Sequence, residues 1–133
     1  MVPSEWLKSQ VVLSPVLGHL PITVIGNPVD TELFSPKETD ELSRRFSIRR
    51  NETTVILVAQ NLDNPFKGIR DGIKALNAIE LDNLKVIIVG NSATEVATHL
   101  RHPTVELPFT SSKEELAAYY SLADLLVMPS RGE

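Results

Sequence analysis

The sequence predicts an α/β fold, a parallel β-sheet flanked by helices. Thr53 to Ala59 (TTVILVA) and Lys85 to Val89 (KVIIV) are almost unbroken apolar, β-branched runs, the composition of strands buried on both faces. Between them, Ile69, Ile73, Leu76 and Ile79 fall at helical spacing over Lys67 to Leu81. The alternation then continues to near the end of the chain, the pattern of parallel strands joined by crossover helices.

Element by element, Pro3 and Ser4 mark a helix start, with Trp6, Gln10 and Val11 carrying it to about Leu13. Trp6 is expected to pack rather than to face a ligand. Pro15, Gly18 and Pro21 interrupt the chain. Ile22 to Ile25 reads as a short strand closed by Gly26-Asn27-Pro28. Ser35, Pro36 and Glu38 read as an N-cap, a first-turn proline and a capping box for a helix through Leu42 and Phe46. After Lys85 to Val89, the Gly90-Asn91 pair ends the strand, and Ser92 to Leu100 forms a weaker helix. Thr104 to Leu107 is a third strand. Ser111 and Ser112 each precede a glutamate by three residues, a doubled cap signal for a helix to about Leu122. The tyrosines of that helix, Tyr119 and Tyr120, place at least one ring in the core. Leu125 to Met128 is a fourth strand, stopped by Pro129.

Composition narrows the function classes. The 133 residues carry a net charge of -4, with 42% hydrophobic and 23% charged residues, as in a soluble globular protein. No basic run offers a phosphate-backbone footprint, so nucleic acid is not expected as a partner. There are no cysteines, which removes disulfides, thiolate metal sites and a thiol nucleophile. No apolar run approaches the roughly 18 residues of a membrane span. Met1 to Gln10 lacks the basic and apolar regions of a signal peptide, and a cytoplasmic location is expected.

In an open parallel sheet, ligands bind at the carboxyl ends of strands near the point where strand order reverses. The candidate stretches are therefore Gln60 to Gly68, Gly90 to Ala93, Pro108-Phe109 and Pro129 to Glu133. Lys67 places a cation beside a helix N-terminus, an arrangement a bound diphosphate would relieve. The same position suits a solvated surface lysine. Gly90 and Asn91 could admit a ligand to the backbone or form an ordinary strand-to-helix turn. Glu133 lies just past a strand end, and a plain exposed loop fits it as well. His19, His99 and His102 have no metal-like pairing, and no metal site is expected. The dinucleotide fingerprint G-x-G-x-x-G is absent.

Several segments, in order, then converge. Pro3-Ser4-x-Trp6-Leu7 and Val24-Ile25-Gly26-Asn27-Pro28-Val29-Asp30-x-x-x-Phe34 resemble the hinge pattern "PSxWL … VIPNGVDxxxF" of glycosyltransferase family four, the group 1 glycosyl transferases of GT-B architecture. Val58-Ala59-Gln60-Asn61-Leu62 with Lys67-Gly68, and Val86 to Gly90, look like later segments of that family. Tyr119 to Ser130 (YYSLADLLVMPS) is similar to its "YSxADxxvxPS" stretch. The resemblance covers essentially the whole chain, and its weight rests on order and spacing rather than on any one motif.

This resemblance implies a Rossmann-like parallel sheet flanked by helices, part of the C-terminal, donor-binding domain of a two-domain GT-B enzyme. Residues 1–20 would be an interdomain helix or linker, and 21–133 the donor-binding domain, truncated at its C-terminal end. The implied reaction is retaining transfer from a nucleoside diphosphate sugar to a hydroxyl acceptor, such as a carbohydrate or lipid-linked acceptor in polysaccharide biosynthesis. The missing domain leaves room for peripheral membrane contact. The family's "KG" lysine, which contacts the donor diphosphate, corresponds to Lys67 followed by Gly68. Pro108 and Phe109 match the loop that meets the base, and Gln60, Asn61, Gly90 and Asn91 complete the donor-binding set. Glu133 matches the first carboxylate of a Glu-x7-Glu motif and is the implied catalytic residue. No metal or other cofactor is implied, since basic side chains and helix N-termini stabilise the leaving diphosphate.

Two departures stand out. Gln60-Asn61 occupy the region where the family often has an arginine, and Pro28 replaces the glycine of "NGVD". The first leaves a non-catalytic Rossmann-like nucleotide-binding or interaction module as the alternative. A flavodoxin-like or receiver-type domain fits less well, because it calls for acidic residues where Lys67 stands.

Overall fold

The computed structural model describes residues 1–131. The chain gathers into two compact units, Met1–Phe34 and a second beginning at Ser35.

In the first unit, helix α1 (Glu5–Val12) begins where expected, with the Ser4 hydroxyl accepting the Leu7 N–H at 3.1 Å. Trp6 does not pack as expected: 71% of its surface is exposed. Nor do residues 22–25 form a strand. Val2 and Val24 make an isolated parallel bridge, with Val2 donating to Thr23 at 3.0 Å and accepting from Ile25 at 2.9 Å. With no neighbouring ladder beyond that bridge, a β-branched run alone does not make a strand.

The second unit opens with α2 (Asp40–Arg45). This helix starts later than Ser35 and Pro36 suggested. Thr39 takes the N-cap position without a side-chain bond, and the Glu38 carboxylate accepts the Thr39 and Asp40 N–H groups instead. Four strands follow, β1 (Thr53–Asn61), β2 (Leu84–Asn91), β3 (Thr104–Leu107) and β4 (Leu125–Val127), in the all-parallel order β3-β2-β1-β4. The helices α3 (Ile69–Asn77), α4 (Ala93–Ala97) and α5 (Lys113–Ser121) connect them.

Alternation along β1 separates two cores. Val55, Leu57 and Ala59 face α3 and α4, meeting Ile69, Ile73, Leu76, Ala93 and Val96. Ile56 faces the other way, with Ile87, Val89, Val105, Leu107 and Leu122, flanked by Leu42, Phe46, Tyr119 and Tyr120. Helices therefore cover both sheet faces, the doubly wound α/β, Rossmann-like arrangement. Ile56, Leu57, Val86, Ile87 and Ile88 are the largest fully buried side chains, each stabilising the fold by about 1.5–3 kcal/mol through burial.

The helix of residues 67–81 is shorter than expected. Gly68 adopts φ 62° and breaks the regular backbone, so Lys67 closes a separate 3-10 turn (Pro65–Lys67) and α3 begins at Ile69. At its far end the Asn77 amide turns to the α4–β3 connection, donating to the His99 carbonyl at 2.8 Å and accepting the Arg101 N–H at 2.9 Å. Ile79 then falls outside the helix and is 44% exposed. At α5 the second of the two predicted caps is used, with the Ser112 hydroxyl accepting the Glu115 N–H at 3.1 Å.

Candidate functional site

The sheet order reverses between β1 and β4, so the carboxyl ends of these two strands flank the switch point. The loop after β1 is held by its own side chains. Asn64 accepts the Phe66 N–H at 3.0 Å and starts the turn that Pro65 favours. Asp63 accepts the Ser92 hydroxyl at 2.6 Å, tying this loop to the one after β2. Ser92 spends its hydroxyl there and adopts φ 66°, so it does not cap α4.

Lys67 is half-buried at the end of the turn, its N–H donating to the Asn64 carbonyl at 3.0 Å. Gly68 meets the loop after β4 directly. A Cβ built on it would lie 2.0 Å from the Pro129 carbonyl oxygen, which no side chain can accept. Next to this contact, the Arg131 N–H donates to the Phe66 carbonyl at 2.8 Å. The Arg131 guanidinium reaches one Asp71 carboxylate oxygen with two nitrogens, at 2.6 and 2.9 Å. The loops containing Lys67-Gly68 and Pro129-Ser130 are thus interlocked. Beside them, a groove of about 600 Å³ includes Asp63, Asn64, Gly68, Asp71, Glu95 and Arg131 in its lining.

The other expected residues distribute as follows. Gln60 and Asn61 are exposed at the end of β1, where the register with β2 shifts between Val58 and Asn61. Gly90 lies within β2 rather than after it, at φ 147°, and a Cβ there would meet the Ala59 carbonyl oxygen at 1.9 Å. Close approach of the neighbouring strand is therefore a sufficient reason for this glycine. Gly90, Asn91 and Pro108 line one pocket of about 440 Å³ with Glu106 and Leu107, across the ends of β2 and β3. Phe109 is 43% exposed. Glu133 lies outside the described residues. Among the described residues, no group of three His, Asp or Glu side chains is placed to hold a metal ion. No helix among them is long and apolar enough to cross a membrane.

Asp63 and Asn64 fall in the candidate stretch Gln60 to Gly68 and Arg131 in Pro129 to Glu133, without a role of their own there, and Asp71 lies outside every candidate stretch. Asn64-Pro65 carries a readable turn-start signal. Asp71 and Arg131 are sixty positions apart and carry none.

Fold and strand-end loops define a doubly wound α/β domain whose open loops gather where the strand order reverses. Residues 53–133 match the family described as Glycosyl transferases group 1, and the chain belongs to that family. A 67-residue stretch, 50% of this chain, is 25% identical to the glucose-6-phosphate isomerase of Prochlorococcus marinus. The chain spans 13% of the length of that relative.

Proposed function

We propose that the chain is the donor-binding part of a two-domain, retaining glycosyltransferase that uses a nucleoside diphosphate sugar. The observation carrying this reading is the packing of the Lys67-Gly68 turn against the Pro129–Arg131 loop at the switch point. Lys67 would meet the diphosphate, and Glu133 would sit at the sugar. Gly90, Asn91, Pro108 and Phe109 would flank the nucleoside, with Gln60 and Asn61 at the β1 end. The acceptor hydroxyl would replace the diphosphate at the anomeric carbon, with no metal required. A cytoplasmic enzyme acting on a carbohydrate or lipid-linked acceptor fits this chemistry. The 13% coverage of the isomerase supports no isomerase activity for this chain.

Gln60-Asn61, standing where the family often has an arginine, favour a second reading, a nucleotide-binding module without catalysis. Thermal shift of the whole protein with UDP, GDP and ADP tests the first part of the proposal, since a ligand that binds only the folded state raises Tm. No shift with any of the three at millimolar concentration rules out the donor site. Binding without sugar transfer or donor hydrolysis selects the non-catalytic module. In the reading frame, a glutamate eight positions beyond Glu133 is expected for the enzyme.

A further inference from the structure

We propose that Asp71 and Arg131 are positioning residues, a clasp that sets the loop after β4 against the Lys67-Gly68 turn and so holds the donor site in one frame. The inference rests on the donor-site reading above. Two contacts between these loops belong to the backbone: Arg131 N–H to the Phe66 carbonyl at 2.8 Å, and the Pro129 carbonyl seated over Gly68. The third is the ion pair, in which two guanidinium nitrogens converge on one Asp71 oxygen at 2.6 and 2.9 Å.

The pair joins the first turn of α3 to a residue two positions before Glu133. In this pair the Asp71 side chain is 43% exposed and that of Arg131 63%. Exposed pairs add little to global stability, so its effect is local, restricting how the two loops can separate. Preorganisation of this kind lowers the ordering cost of binding a ligand that touches both loops.

The sign of one substitution separates this from simple electrostatics. Asp71 is an anion that lines the same groove as Gly68, beside the turn proposed to meet the diphosphate. If it acted only through charge, Asp71→Asn would tighten diphosphate binding. The clasp requires the opposite.

The test is calorimetric titration of the whole protein with UDP, GDP and ADP, each against its monophosphate. Asp71→Asn and Arg131→Ala are each expected to weaken the bound diphosphate about ten-fold, and the double variant no more than either alone. Monophosphate affinity and Tm should scarcely change, and Arg131→Lys should recover part of the loss. Unchanged or tighter diphosphate binding by Asp71→Asn overturns the clasp and leaves the donor site standing. Additive losses in the double variant also overturn it, pointing to direct phosphate contact by Arg131. If the native protein binds none of the three diphosphates, the donor-site reading falls and the clasp falls with it.

Discussion

Asp124, immediately before β4, holds Thr54 near the start of β1 by both backbone and side chain. Its carboxylate accepts the Thr54 N–H at 2.7 Å and the Thr54 hydroxyl at 2.9 Å, while its own N–H donates to the Thr54 carbonyl at 2.9 Å. Thr54 is buried and its hydroxyl also lies 2.8 Å from the Leu122 carbonyl. The aspartate of the "YSxAD" segment is therefore a structural tie. It sits at the amino ends of the strands, away from the loops that form the candidate site.

Asp124→Ala should remove these acceptors and leave the Thr54 N–H without its partner, costing about 1–3 kcal/mol. For a domain of this size that corresponds to a Tm fall of roughly 4–8 °C per kcal/mol. Nucleotide affinity measured well below the new Tm should be preserved. A ten-fold loss of affinity with an unchanged Tm would show that the aspartate belongs to the site instead.

Gly68→Ala is expected to be costly for a different reason. The substitution forces a side chain into a left-handed backbone at φ 62° and onto a backbone carbonyl 2.0 Å away. Backbone strain of this kind costs about 1–3 kcal/mol, and the clash adds to it by pushing the two loops apart. Denaturant melts should show the loss, and titration should show weaker diphosphate binding. A variant with native stability would mean that the loop after β4 is free to move away.

Lys85 and Glu52 provide the pH-dependent element at the amino end of the sheet. Their charged groups lie 3.0 Å apart, with side chains only 9% and 14% exposed, and Lys85 also donates to the Ser47 carbonyl. Burial by itself raises the Glu52 carboxyl. The Arg49 N–H, 2.7 Å away, and the Lys85 ammonium together outweigh it and hold the group below its ordinary value of 4.5. A folded-state value below the unfolded one means that the stabilisation is present above about 4.5 and is lost as pH falls through the folded value. Glu52→Gln should cost about 1–3 kcal/mol at pH 7. The gap between native and variant protein should narrow below about 4.5 in urea melts taken at successive pH values. A gap constant down to pH 3 would show that the carboxylate's charge contributes nothing.

Much of this architecture was legible because strands buried on both faces leave little ambiguity. Residues 53–59 and 85–89 could hardly be placed elsewhere, and the 104–107 strand matched to the residue. Element ends were harder, because they depend on contacts that local sequence does not encode. Ser35-Pro36 has a good cap pattern, yet α2 begins at Asp40. Helix α3 begins only after Gly68, whose conformation is tied to a carbonyl sixty-one positions on, at Pro129. The candidate site was legible as a set of strand ends. The pairings Asp71–Arg131 and Asp63–Ser92 were not, since each joins side chains brought together only by the folded sheet.

Lys67 offers the most direct check on the proposed chemistry. It is half-buried at the close of a turn that Asn64 caps and the Pro129 loop packs against, so its backbone position is well fixed. A charge-assisted contact to phosphate is stronger than a neutral hydrogen bond. Lys67→Ala should therefore weaken nucleoside diphosphate binding by about ten- to a hundred-fold, some 1.4–2.8 kcal/mol. Affinity for the free nucleoside should change little, because that part of the ligand is expected at Pro108 and Phe109. Raising ionic strength should reduce the difference between native protein and variant, as screening weakens a contact between full charges. Equal losses for diphosphate and nucleoside would instead mean that the lysine supports the fold of the turn and does not meet the phosphates.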